Sequence, residues 1–132
     1  MEEQLTIPLA AGGHLSGILR VSPVHPKRVI LICHGVLGHK NYLFQPQLAK
    51  ELDFFGSTYR FDFRGNGDSS GDMKYARYDE DVEDLTSVTA YLRDKGYSVE
   101  GLIGHSRGLA APSFGFDSVK NNEVLNYCVP VC

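Results

Sequence analysis

No stretch of this sequence approaches the roughly 20 apolar residues that a bilayer-spanning helix needs. Its start, Met1-Glu2-Glu3-Gln4, is acidic and lacks the basic and apolar regions of a secretory leader. No membrane span is expected, and the expected compartment is the cytoplasm. Cysteine is scarce: Cys33, Cys128 and Cys132 sit inside or beside apolar runs. An odd count without a leader favours reduced, buried thiols over a disulfide framework. Cys33 is read as a small packing residue rather than a nucleophile. Charge of one sign is lacking too, since a formal net charge of -3 gives no electrostatic case for nucleic acid or an anionic surface. No cysteine and histidine pair has metal-ligand spacing, and His34 and His39 fall in a glycine-containing loop, so no metal is expected. Internal repeats, low-complexity segments and linkers are absent.

What remains is ordinary globular material, 42% hydrophobic and 22% charged over 132 residues. One domain spanning 1–132 is the default, with a modest core. Two short alternating segments, Gln4 to Leu9 and Leu15 to Val21, flank Ala11-Gly12-Gly13-His14 and predict a hairpin. After the breakers Pro23 and Pro26, the continuous apolar run Val29 to Cys33 reads as a strand covered on both faces. Helical spacing over Leu43 to Leu52 puts Leu48, Leu52 and Phe55 on one face, with Gly56 as its end. Ser57 to Phe63 reads as a strand. Asp79 to Lys95 is the strongest helix, with Val82, Leu85, Val88 and Leu92 as its apolar stripe. Its acids Asp79, Glu80, Asp81, Glu83 and Asp84 crowd the end where the helix dipole favours them, and Gly96 suits the closing residue. Strands over Ser98 to Ile103 and Glu123 to Val131 complete the pattern. A hairpin followed by alternating strands and helices predicts an α/β fold: a mostly parallel sheet with helices on both faces and right-handed crossovers.

Chemistry concentrates in three strand-exit loops. Gly104-His105-Ser106-Arg107-Gly108 is a G-x-S-x-G string directly after a strand. A sharp strand-to-helix turn lifts such a serine clear of the sheet, and Gly104 and Gly108 leave the backbone room to fold. The string reads as a nucleophile elbow with Ser106 as the nucleophile of a serine hydrolase. The alternative is a glycine-rich turn that only packs a helix on the sheet. Serine needs a histidine base oriented by a carboxylate, and no histidine occurs between Ser106 and Cys132. His34-Gly35-Val36-Leu37-Gly38 follows the first buried strand. Acyl transfer builds negative charge on a carbonyl oxygen, which two preset backbone N–H groups can stabilise. Val36 and Arg107 are the candidate donors of that oxyanion hole, with Gly35 permitting close approach; an ordinary strand-exit loop is the alternative. His34 is read as a loop brace rather than the base, and His105 and Arg107 as shaping the elbow. The segment Phe61 to Gly71 lacks the third glycine of a phosphate-binding G-x-G-x-x-G. It reads as a polar turn, with Asp62 and Arg64 holding it by internal hydrogen bonds.

With HGxxG, DFRGxGxSxG and GHSRG in this order, the chain resembles the α/β-hydrolase superfamily. The wording is closest to its cinnamoyl and feruloyl esterase-like and monoacylglycerol lipase-like branch, also labelled serine aminopeptidase-like. The resemblance covers Leu5 to about Gly108, the N-terminal half of a typical member. It implies a truncated α/β-hydrolase acting on small carboxylic esters or amides by nucleophilic acyl transfer, with no cofactor. The acid and histidine of the triad follow later strands in this fold, and neither Asp117 nor Glu123 is assigned as the acid. Past the elbow the sequence departs from the pattern: Leu109 replaces a small residue, and Pro112 falls within the expected helix at a penalty of about 3 kcal/mol. A second reading is therefore a catalytically silent fragment that binds a partner or itself through an exposed edge near Val124 to Cys132. A nucleotide-binding module is disfavoured, because no phosphate loop precedes a helix.

Overall fold

The computed structural model describes residues 1–10, 12–33, 40–41, 45–62, 64, 68–69 and 78–104. The expected last strand near 123–131, with its proposed self-association edge, lies outside the described residues, as does Phe63. The hairpin forms as expected: β1 (Glu2–Pro8) pairs antiparallel with β2 (His14–Arg20), from Glu2↔Arg20 to Pro8↔His14. Gly12 and Gly13 turn the chain with φ of +98° and +81°, values only glycine adopts without strain. Strands β3 (Arg28–Cys33), β4 (Ser57–Phe61) and β5 (Ser98–Gly104) complete a sheet in the order β1-β2-β4-β3-β5. β2 runs antiparallel to β4, whereas β3 is parallel to β4 on one side and β5 on the other. Central placement explains the apolar run of β3, in which every residue from Val29 to Cys33 is buried.

Helix α2 (Tyr78–Asp94) connects β4 to β5 and covers one face. Its predicted stripe is the buried one: Leu85, Val88 and Leu92 pack with Leu19, Leu31, Cys33, Tyr59, Phe61, Val99 and Leu102, and Val82 adds a half-buried flank. Burying each such side chain stabilises the fold by roughly 1.5–3 kcal/mol. Gly96 closes the helix at φ +90°, with the Tyr97 N–H on the Leu92 carbonyl and the Gly96 N–H on that of Arg93, both at 2.9 Å. Cys33 belongs to this core, as its composition-based reading expected.

The first helix departs from expectation. α1 spans Gln45–Glu51 and tightens into a 3-10 turn at Leu52–Phe54. Gln45 and Ala49 form its buried side, Leu48 and Leu52 are half-buried, and Phe55 is exposed. A 3-10 turn advances three residues per turn, so the apolar spacing that aligned Phe55 with Leu48 is broken at Leu52. Phe55 instead lies under the Arg28 guanidinium, 5.1 Å from its ring centroid. At this end of the sheet Arg20 grips both carboxylate oxygens of Asp53, at 2.9 and 2.8 Å, and those bonds hold the Asp53 pKa below the usual range. Among the described residues, no helix is long and apolar enough to cross a membrane.

Tyr59 is fully buried, stacks on Phe61 and donates its hydroxyl to the Leu5 carbonyl at 2.8 Å. Its ring occupies the space that a side chain on Gly17 would need. Gly17→Ala is expected to push this ring aside and destabilise the protein by about 1–3 kcal/mol. Urea unfolding should show a lower midpoint with an unchanged slope, and an unchanged midpoint would contradict the packing described.

Candidate active site

Register aligns the carboxyl ends of the three parallel strands. Cys33 pairs with Phe61 on β4 and with Gly104 on β5, so Phe61, Cys33 and Gly104 form one row across the sheet. Neighbouring strands lie about 4.8 Å apart, so the outer two ends of the row are within about 10 Å. The three loops singled out in the sequence therefore leave from one short edge. The chain passes from β3 to β4 on one side and reaches β5 on the other, which makes this edge the switch point where ligands bind in open α/β sheets.

Asp62, the first residue past β4, is fully buried and gathers three segments. Its Oδ1 accepts the Lys40 backbone N–H at 2.6 Å. Its Oδ2 accepts the Lys40 ammonium at 2.7 Å and the Asp68 N–H at 2.9 Å. Its own N–H donates to the Ser16 carbonyl at 2.9 Å. Ser69 completes the knot, donating its hydroxyl to the Asp62 carbonyl at 2.5 Å and accepting the Ser16 N–H at 2.8 Å. The Lys40 Nζ also reaches Asp68 Oδ2 at 2.9 Å, and the His14 Nε2–H donates to the Asp68 carbonyl at 3.0 Å. Asp62 thus holds the β4 exit as the sequence implied, but it also reaches β2 and the far end of the β3 exit.

Among the described residues, Arg64 finds partners outside its loop as well. Its backbone N–H donates to Asp84 Oδ2 at 2.7 Å, and its Nη2 donates to Asp84 Oδ1 at 2.9 Å and Glu83 Oε2 at 3.2 Å. Asp84 was grouped with the acids that complement the helix dipole. It is fully buried and fastens the β4 exit to α2 instead. The signal was present: Asp84 stands four residues before Val88 and beside Leu85, at the border of the apolar stripe. Nothing local in the sequence marks Lys40, since its carboxylate partner is 22 residues away.

Of the sequence-predicted site residues, Gly104 closes β5 within the row. Ser106, His105, Arg107 and Gly108 lie outside the described residues, as do His34, Gly35 and Val36. Beside Lys40 a groove of about 390 Å³ is lined by Glu2, Glu3, Gln4, Ile18, Asn41 and Asp68. Among the described residues, no group of three or more His, Cys, Asp or Glu could hold a metal ion.

The Lys40–Asp62 pair is buried, with side chains 6% and 0% exposed. Removing one partner from such a pair destabilises by about 3–5 kcal/mol, because the other charge is left without its partner. Asp62→Ala is expected to lie in that range by urea unfolding, and a loss under about 1 kcal/mol would contradict it. Burial disfavours the charged Lys40, yet its hydrogen bonds to Asp62 and Asp68 outweigh burial and raise its pKa above the ordinary 10.5. A raised folded-state value contributes stability in full below the unfolded pKa and loses it as pH climbs through the folded one. The stability gap between wild type and Lys40→Met should therefore stay constant below pH 10.5 and shrink above it. A gap that widens there would contradict the assignment.

Comparison with known proteins agrees with this geometry. The family model described as serine aminopeptidase, S33, matches residues 24–113. An uncharacterized protein of Saccharomyces cerevisiae, YDL057W, is 37% identical over 98 residues, covering 64% of this chain and 30% of that protein. An alpha-beta serine hydrolase homologue from Coxiella burnetii superposes with a TM-score of 0.72 at 30% identity, covering 87% of this chain and 57% of its own. The Pyrococcus furiosus esterase Pf2001 superposes with a TM-score of 0.76 at 24% identity, covering 91% of this chain and 46% of its own. The chain thus spans about a third to just over half of the length of these relatives. With the family model matching more than half of its length and the sheet order in place, the chain belongs to the serine aminopeptidase S33 family of α/β-hydrolases.

Proposed function

We propose that this chain carries the nucleophile and oxyanion hole of a serine hydrolase acting on small carboxylic esters or amides. Ser106 is the nucleophile, and the backbone N–H groups of Val36 and Arg107 receive the developing oxyanion. The observation that carries this reading is the row Phe61–Cys33–Gly104. Chain connectivity keeps the Ser106 Cα within about 7 Å of Gly104 and that of Val36 within about 11 Å of Cys33. Two backbone N–H groups and one hydroxyl carried on the exits of adjacent strands would supply the nucleophile and the oxyanion hole of acyl transfer, to which a base must be added.

In this mechanism the Ser106 Oγ attacks the substrate carbonyl carbon as a base takes its proton. Negative charge moves onto the carbonyl oxygen and is met by the two N–H groups. Collapse breaks the bond to the leaving alcohol or amine, and water then releases the acid from the acyl-serine. Donors fixed before the reaction need no reorganisation when the charge appears, and one such donor contributes about 10²–10³ in rate. By chain order in this fold, the acid and histidine come after the nucleophile; no residue of 1–132 is assigned to either role. Ester hydrolysis is also the activity for which the Pyrococcus furiosus relative is named.

A fluorophosphonate probe tests the reading. Wild-type protein should label at Ser106, since the oxyanion hole and binding alone are worth about 10³–10⁴ over water. Peptide mapping should place the adduct on Ser106, and Ser106→Ala should abolish it. Equal labelling of the two proteins, or labelling of neither, counts against it. The second reading, a silent interaction module, draws on one observation: β5 ends the strand order of the described sheet, and unpaired edges invite another chain. It expects self-association in size-exclusion chromatography, which a concentration-independent monomer would exclude.

A further inference from the structure

Exposed apolar bulk gathers at one end of the described molecule. Among the described residues, the large hydrophobic side chains that face water are Met1, Val24, Phe54 and Phe55, at 81%, 60%, 71% and 37% exposure. Register puts them together. Arg20 pairs with Glu2 on β1 and Thr58 on β4, Val29 pairs with Ser57 on β4, and Arg28 pairs with Ser98 on β5. Glu2, Arg20, Ser57, Arg28 and Ser98 therefore rim the end of the sheet opposite the row Phe61–Cys33–Gly104. Met1 precedes β1, Val24 lies between β2 and β3, and Phe54 and Phe55 lead into β4. Hydrogen bonds join these segments. The Val21 N–H donates to the Met1 carbonyl at 2.9 Å. The Ser22 hydroxyl donates to the Asp53 carbonyl at 2.6 Å and accepts the N–H groups of Val24 and His25 at 3.1 and 3.0 Å.

Beside the apolar tips runs a groove of about 360 Å³, lined by Val24, His25, Pro26, Lys27, Arg28 and Ser98, with no carboxylate in that lining. Lys27 is exposed and holds its ammonium 4.6 Å from the Tyr97 ring centroid. Arg28 is paired with Glu100 at 2.7 Å, both partly exposed, and Arg20 is neutralised by Asp53 and Glu2. Net charge gives no reason to expect an anionic surface as partner, but it averages over the whole chain. At this end cationic side chains stand next to apolar tips.

Shape and charge select the occupant. A contiguous apolar patch on a soluble surface marks a protein or membrane contact. Protein contacts seat their anchors in packed pockets, whereas Phe54 and Val24 project into water. A second copy meeting this face with its own would set Lys27 and Arg28 against their copies. A bilayer needs no matching recess: its acyl boundary takes apolar tips, and anionic headgroups take the cations beside them. We propose that this end of the molecule docks on anionic lipid bilayers, with Phe54 and Val24 inserting and Lys27 and Arg28 meeting the headgroups. Docking of this kind is independent of the hydrolase reading. At about 3.3 Å per residue, β3 would hold the candidate active edge roughly 17 Å above the contact, turned to the water.

Vesicle flotation with the full chain tests the proposal. The probes are vesicles of phosphatidylcholine alone and of phosphatidylcholine with about 30% phosphatidylserine, at low salt and at about 0.5 M. Wild type should float with the phosphatidylserine vesicles, less so at high salt, and little with phosphatidylcholine alone. Phe54→Ser should weaken binding about tenfold or more, for one aromatic side chain no longer inserted. Lys27→Glu should weaken it about fivefold or more. Both positions are exposed, so the melting temperature should hold; Val24→Ser decides the matter if Phe54→Ser lowers it. Wild type that does not float with anionic vesicles, or a folded Phe54→Ser that floats as wild type does, overturns the proposal. Wild type that ignores the vesicles but forms a dimer abolished by Phe54→Ser overturns it in favour of a second copy.

Discussion

The buried carboxylate of Asp62 organises the edge of this molecule where chemistry is expected. It stands one residue past β4, with no exposed surface, and accepts bonds from Lys40 and Asp68 while its backbone is tied to Ser16 and Ser69. A charge in such a place is tolerated only if an opposite charge and hydrogen-bond donors surround it. Satisfying that demand draws the end of the β3 exit loop, the β4 exit loop and β2 together. The Arg64–Asp84 pair repeats the device one step on, tying the same exit to α2. Two buried acids thus tie Lys40, Arg64, Asp68 and Ser69 to the scaffold.

The sheet supplies the other half of the arrangement. Because β3 is central and parallel to both neighbours, the three loops leave from one edge. The α2 stripe and the Tyr59–Phe61 stack fix the sheet from one face, so the edge has a rigid base. Functional residues carried on loops gain precision from such a base.

Much of this was legible in the sequence, for local reasons. The hairpin followed from alternation around Gly12-Gly13, β3 from its unbroken apolar run, and α2 from the spacing of Leu85, Val88 and Leu92 closed by Gly96. Motif order carried the family. What escaped were the long-range polar contacts. Lys40 at the end of a glycine-containing loop looks like any solvated lysine, and only the folded chain brings Asp62 to it. Asp84 looked like a dipole-complementing acid because its burial depends on where Arg64 falls. The face of α1 was misjudged because a 3-10 turn at Leu52–Phe54 interrupts the helical period. Strand order is likewise a product of non-local pairing, which periodicity does not encode.

The central claim is that the strand row brings an oxyanion-binding loop to the serine that follows β5. A crystal structure of the chain with a phosphonate on Ser106 tests it most directly. The account predicts the phosphonyl oxygen within about 2.7–3.1 Å of the backbone nitrogens of both Val36 and Arg107. An adduct whose oxygen faces solvent, with Val36 turned away from it, would contradict it.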